Sequence, residues 1–320
     1  MRTARVLVEG IGHYHIILKA TGPLFLFQKA ADKEAFLCLL ERVSRFSAVD
    51  VLAYALLDNH IHLLVRVPMR ESVPPAELAA RLEALYGEKR AEKLLERWKR
   101  MDESGNGNVV TAERDRLYRR MYDLGQFVKT LKEWYARYYS KANGWEGTLW
   151  RGRYKSVWVG GSYKALKDTA LYVAMNPVKA GIVAKGTDSP WTSYGGCRRK
   201  GSFGWKCHQA LLQELVRIGS LCGTSEKGTD SMARRFDDEV ARVEAVQKEE
   251  VRHKLDAGES LSLYEIMLCE AHAFSNGKAI GTLRDIESVP IPRKRVTGMA
   301  QSTCGLFNAT RLRGTLFHVA

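Results

Sequence analysis

The stretch VDVLAYALLDNHIHLLVRV, residues 49–67, decides the fold. Residues 49–57 and 60–67 are rich in strand-forming apolar side chains and are separated by Asp58-Asn59. A two-residue polar break between such runs predicts a β-hairpin. Side chains on a strand alternate between faces, so His60 and His62 project from one side while Ile61, Leu63 and Val65 form a core-facing side. Two convergent imidazoles make part of a divalent-metal site and need at least one further ligand.

The segments on either side of the hairpin supply its context. Residues 12–20 (GHYHIILKA) read as a strand, and residues 32–46 place Phe36, Leu39, Leu40 and Val43 at helical spacing after an acidic first turn. Strand, helix, strand, strand is the opening of a ferredoxin-like βαββαβ unit. Residues 123–140, with Phe127, Leu131, Trp134 and Tyr138 along one face, supply the second helix, and residues 155–159 supply a short closing strand. The predicted class is therefore α+β, an antiparallel sheet with helices on one face. Residues 69–120 carry helix-forming sequence and a loop at ESGNGN (103–108), and read as a helical insertion. Residues 163–175 form a further helix, stopped at Asn176-Pro177 because proline cannot continue it. The expected organisation is a main domain over 1–200, a helical linker over 201–260 with a helix near 231–254, and a small accessory module over 261–320. A Ser275-Asn276-Gly277 turn and a basic tail mark that last module, so the C-terminal extension is expected to be mostly helical.

Composition limits the classes of function. A hydrophobic content of 45% argues for a folded chain, and a net charge of +14 points to a polyanionic partner, nucleic acid before others. Six scattered cysteines with no CxxC pair exclude the usual structural zinc spacings and leave a reducing cytoplasm as the default location. No apolar run approaches a membrane span, and the basic N-terminus lacks the long apolar stretch of a secretion signal.

Three constellations carry chemistry. Tyr172 and Asn176 lie four apart, Asn176 at the stop of the 163–175 helix and Asp168 one turn before Tyr172, so they share a face. A tyrosine hydroxyl can attack a phosphate made electrophilic by a nearby metal, and an asparagine amide oxygen can complete a site begun by two histidines. The alternative is a half-buried helix aromatic and an asparagine cap before Pro177. The second constellation, GWEGTLWRGRYKSVWV at 144–159, alternates Arg151, Arg153 and Lys155 beside Trp150, Tyr154 and Trp158. Residues 111–160 hold 11 Lys/Arg against 5 Asp/Glu, so this stretch supplies much of the positive excess. Stacking faces with interleaved cations suit single-stranded nucleic acid, although a solvated basic face over an aromatic core fits the same residues. The third is a competing pair, His13 and His15, also two apart on a strand.

Taken together, GHYHI (12–16), LLDNHIHLLV (56–65), GTLWRGRY (147–154) and YVAMNPVKAGIV (172–183) resemble the single-tyrosine transposases of the HUH class, most closely the REP-associated tyrosine transposases. The resemblance spans about residues 10–195. It implies a catalytic domain in which His60 and His62 hold Mg²⁺ or Mn²⁺, Asn176 takes the third ligand position, and Tyr172 is the nucleophile. Related single-tyrosine transposases have glutamine where this chain has Asn176. His13 and His15 fall in the family's first-strand block, which carries no catalytic assignment, so their structural reading is favoured. The implied reaction is cleavage and rejoining of single-stranded hairpin DNA through a 5′-phosphotyrosine link. Arg151, Arg153, Lys155, Trp150 and Tyr154 are the candidates for holding the strand. A nucleoid-associated cytoplasmic enzyme, acting alone or as a homodimer, is expected. Two other readings share these residues: an HUH nickase that initiates replication or transfer, and a catalytically silent binder of structured nucleic acid. Residues 261–320 resemble a tail found on longer members of the family.

Overall fold

A computed structural model describes residues 6–219 and 226–246, with short pieces at 250–251, 253–254, 257, 279–281 and 316–318. The Ser275-Asn276-Gly277 turn and the basic tail lie outside the described residues.

In chain order the elements are β1 (Gly12–Lys19), α1 (Ala30–Ser47), β2 (Asp50–Leu56), β3 (His60–Val67), α2 (Pro75–Tyr86), α3 (Glu88–Glu103), α4 (Gly107–Tyr118), α5 (Leu124–Asn143), β4 (Lys155–Val159) and α6 (Tyr163–Ala174). They are followed by α7 (Asn176–Lys179), α8 (Ser193–Gly196), α9 (Phe203–Ile218), α10 (Glu226–Ala245), β5 (Ala279–Gly281) and β6 (Leu316–His318). The chain divides into two interleaved units, one of residues 1–26, 51–66 and 151–320, the other of residues 27–50 and 67–150.

The first unit is built on the sheet. Its strand order is β2-β3-β1-β4, with β5 and β6 continuing beyond β4. The first four strands form an antiparallel sheet, and their order and connections are those of a ferredoxin-like unit, so the α+β expectation holds. β1 and β4 pair with His13 opposite Val159, His15 opposite Val157 and Ile17 opposite Lys155. The hairpin forms as its sequence predicts: the Leu57 amide donates to the His60 carbonyl at 3.0 Å across Asp58-Asn59. At the far edge, the segment after Pro190 closes β2. The Leu56 amide donates to the Trp191 carbonyl at 3.0 Å and the Tyr54 amide to Ser193 Oγ at 3.1 Å, which leaves less of that edge open to other chains. The turn into α8 requires Gly195, because a Cβ there would lie 2.0 Å from the Ser189 carbonyl oxygen.

One difference from the sequence reading concerns residues 201–260. Among the described residues of that stretch, α9 and α10 build the core of the sheet unit. Leu211, Leu212 and Leu215 of α9 and Met232, Phe236 and Val240 of α10 join Leu166, Ala170 and Leu171 of α6 and Leu64, Val157 and Val159 of the sheet in one buried cluster. Their charged residues fill the solvent side, which makes the composition look polar while an apolar stripe persists at helical spacing.

The second unit is helical and contains the insertion. Phe27 stacks on Tyr135 and Phe36 meets both rings edge-on, and Trp98 of α3 is buried with its indole N–H donating to Glu113 of α4 at 2.7 Å. α5 starts where Asp123 accepts from the Gln126 amide at 2.7 Å, an N-cap of the usual residue type. Among the described residues no helix is long and apolar enough to cross a membrane.

The core role of α10 is testable. Phe236→Ala is expected to cost about 3–5 kcal/mol in urea unfolding, the usual price of emptying a buried aromatic site. Asp238→Ala, on the exposed side of the same helix, is expected to change stability by less than about 0.5 kcal/mol.

Candidate active site

The site is assembled within the sheet unit from β1, β3 and α6. Strand alternation puts His60 and His62 on one face of β3, and their rings meet edge-on with centroids 5.0 Å apart. β1 lies beside β3 and brings His15 to the same place: its ring stacks on that of His62 at 5.1 Å and 13° between planes. α6 lays Tyr172 across this group. The phenol ring packs edge-on to His62 at 5.5 Å and to His15 at 5.6 Å, although 110 residues separate it from His62 in the chain.

α6 does not run unbroken into Asn176. It ends at Ala174, and a second short helix, α7, begins at Asn176 with Pro177 in its first turn, where a missing N–H costs little. The step keeps Asn176 beside the tyrosine, and its side chain is hydrogen-bonded to Tyr172. Tyr172 is only 5% exposed, and burial raises its pKa while the hydrogen bond with Asn176 pulls the other way. Lys179 places its ammonium 5.4 Å from the centre of the tyrosine ring.

The imidazoles are held neutral. Burial lowers His60 to about 4, helped by the charge of Lys19, and lowers His15 to about 3. His62 is pushed well below its ordinary value by burial and then by its histidine and lysine neighbours. Neutral imidazoles carry the lone pair that a metal requires. His60 Nδ1 donates to Asn59 Oδ1 at 2.6 Å, and His62 Nδ1 shares a hydrogen with His15 Nε2 at 2.9 Å, so in both rings Nε2 is the nitrogen left for a ligand role. Asn176 Nδ2 is buried with no partner, and turning the amide over places Oδ1 at that position. Among the described residues no three His, Cys, Asp or Glu side chains are arranged to hold a metal ion. A cation placed here would find two imidazoles and the Asn176 amide, nitrogen and oxygen donors that a divalent first-row ion or Mg²⁺ can accept.

The remaining predicted residues divide. Arg151 and Lys155 are exposed at the end of the β1–β4 pair, where the Arg151 amide donates to the Lys19 carbonyl at 2.8 Å. Burial, then the charges of Arg151 and Lys19, lowers the pKa of Lys155, so these three cations form one cluster, and Lys19 also acts on His60. Arg153 is exposed and Tyr154 half-buried. Trp150 is buried against Tyr135, with its indole N–H donating to the Lys132 carbonyl at 3.1 Å, so its ring serves packing in the helical unit. Asp168 is turned from the histidines into an ion pair with Lys167 at 3.2 Å. His13 takes the structural role expected of it: its Nε2 donates to Glu214 Oε1 of α9 at 2.7 Å. The sequence reading passed over Lys19, Lys179 and the contact of His15 with His62. Only strand register signals the first and third.

No protein-family model matches the chain, and no curated protein matches it. Among solved structures it is similar to a REP-associated tyrosine transposase bound to a REP hairpin, at 14% identity and a TM-score of 0.40, covering 64% of this chain and 90% of that one. A likeness of that size is no basis for assigning an activity.

Two buried groups near this face make stability depend on pH. Burial lowers His208 to about 4, so the folded state resists a proton that the unfolded chain accepts near pH 6.5. Its contribution is complete above about pH 6.5 and is lost as pH falls toward about 4. Burial alone would raise Glu214, but hydrogen bonds from Arg217 and His13 and the charge of Arg66 hold it well below the usual carboxylate range. That contribution is present above about pH 4.3 and is lost below it. Unfolding free energy is therefore expected to fall from about pH 6.5 downward. In urea titrations, His208→Gln should remove up to about 1.4 kcal/mol per pH unit from the slope between about pH 6.5 and 4. Glu214→Gln should flatten the loss below about pH 4.3.

Proposed function

We propose that this protein is a metal-dependent enzyme that cleaves and rejoins single-stranded DNA, with Tyr172 as nucleophile. The observation that carries the reading is the convergence of buried Tyr172, Asn176 and His62 with half-buried His60, the imidazoles neutral and anchored through Nδ1. The residues come from segments that resemble the REP-associated tyrosine transposases, and that resemblance supplies hairpin DNA as the expected substrate.

His60 Nε2, His62 Nε2 and the Asn176 amide oxygen would hold the cation. When bound, Mg²⁺ or Mn²⁺ withdraws charge from the non-bridging oxygens of the scissile phosphate. Tyr172 Oη attacks phosphorus in line: the new O–P bond replaces the bond to the 3′ oxygen, and the phenol proton ends on that oxygen as the 3′-OH. The product is a 5′-phosphotyrosine link, which a 3′-OH reverses to rejoin DNA without ATP. Asn176 orients the phenol through their hydrogen bond, and Lys179 holds its ammonium over the face of the tyrosine ring. Lys19, Arg151 and Lys155, with Arg153 near them, supply positive charge for the phosphate backbone beside His60. The burial of Tyr172 favours one other reading, a silent binder of structured nucleic acid, because a nucleophile must reach its phosphate.

The deciding experiment incubates the protein with single-stranded hairpin oligonucleotides and Mn²⁺ and looks for a covalent protein–DNA band on a denaturing gel. An adduct is expected with the native protein and none with Tyr172→Phe. His60→Ala should abolish the adduct while leaving hairpin affinity within a few-fold, because the metal serves chemistry more than binding. No adduct across a hairpin library, with binding intact, would establish the silent binder instead.

The basic cluster makes a separate prediction. Replacing Lys19, Arg151 and Lys155 together with alanine should weaken hairpin binding and reduce the slope of log affinity against log salt by about 2, since each single-strand phosphate contact contributes about 0.7. An unchanged salt slope in a fluorescence anisotropy titration would place the DNA elsewhere.

A further inference from the structure

We propose that His15 is a positioning residue for the metal site, setting which nitrogen of His62 is free to bind. This rests on the metal reading above and extends it to a side chain with no assigned role. His15 is fully buried at the centre of the sheet, stacked on His62, with its Nε2 2.9 Å from His62 Nδ1. Tyr172 closes over both rings, so the pair is shut in with the nucleophile.

The two histidines of β3 are supported differently. The partner of His60 is a carbonyl oxygen, Asn59 Oδ1, which can only accept. That fixes the proton of His60 on Nδ1 and leaves Nε2 as a lone pair. The partner of His62 is another imidazole, which can donate or accept. In one arrangement His62 Nδ1–H donates to His15 Nε2, His15 carries its own proton on Nδ1, and His62 Nε2 is free for a ligand. In the other, His15 Nε2–H donates to His62 Nδ1, and His62 Nε2 carries a proton that blocks a metal.

Both arrangements hold the same number of protons, so the choice between them is a relocation and not a titration. Neither is excluded by the surroundings, because His15 Nδ1 is buried without a hydrogen-bond partner in either case. A cation binding at His62 Nε2 selects the first arrangement, and His15 is the acceptor that makes it available. Partners of this kind on metal-binding histidines tune affinity and ring orientation. His15 therefore acts through His62 and need not touch substrate.

The test measures Mn²⁺ affinity by titration calorimetry on the full chain without DNA, in the native protein and in two variants. His15→Phe keeps a planar apolar ring in the buried place but offers no acceptor. His15→Gln restores an amide oxygen near the position of Nε2. The expected result is a loss of about 10–100-fold in Mn²⁺ affinity for His15→Phe, with most of that loss recovered in His15→Gln. Equal affinity in His15→Phe and native protein would overturn the inference, and so would a loss in His15→Gln as large as in His15→Phe, which would mark a packing role. A second measurement needs no variant. Long-range nitrogen–proton NMR of the native protein with Mg²⁺ should place the protons of both His62 and His15 on Nδ1, and a proton on His62 Nε2 would overturn the inference. Failure of the underlying reading looks different: native protein whose Mn²⁺ binding is absent, or is unchanged by His60→Ala, has no metal at these histidines at all.

Discussion

The packing of α6 on the central strands is the constraint from which the rest of the site follows. Leu166, Ala170 and Leu171 enter a core with Leu64, Val157 and Val159, and that burial fixes both the rotation and the position of the helix. At about 25 cal/mol per Å², a helix that buries several such side chains is held far more firmly by apolar area than by any polar contact at its end. Once it is seated, Tyr172 has no freedom to lie anywhere but over His15 and His62. α9 and α10 cover the same cluster, so residues that look like a polar connector are part of what holds Tyr172 in place.

Burial also sets the charge state of the site. Three neighbouring imidazoles would repel one another and the cations at Lys19 and Lys179 if they were protonated. Desolvation removes that state by lowering the histidines to the neutral form. The same desolvation raises Tyr172 and so protects its proton in the resting protein. Positive charge is thus kept to the surface, at Lys19, Arg151 and Lys155, while the buried side chains behind it are neutral.

Legibility followed the range of each interaction. The hairpin was readable because alternation and a two-residue polar turn are local. His60 and His62 followed directly from strand period. Tyr172 and Asn176 share a helical face in the sequence, but the helix breaks between them and is renewed at Asn176-Pro177, a detail that spacing alone does not reveal. Trp150 shows the opposite failure. An aromatic among arginines suggests a stacking platform, while the structure spends its ring on Tyr135 and its N–H on a carbonyl.

By itself, the sequence determined the α+β class, the strand–helix–strand–strand order, the two histidines of β3 and the pairing of a tyrosine with an asparagine one turn later. These depend on residue type and spacing within short windows, where chain geometry is nearly fixed. Tertiary structure decided which distant residues share a site. His15 meets His62 only because β1 lies beside β3, and Lys19 joins Arg151 and Lys155 only because Ile17 is in register with Lys155. Register is set by the summed packing of whole strands and the helices upon them, and no short window of sequence contains that sum.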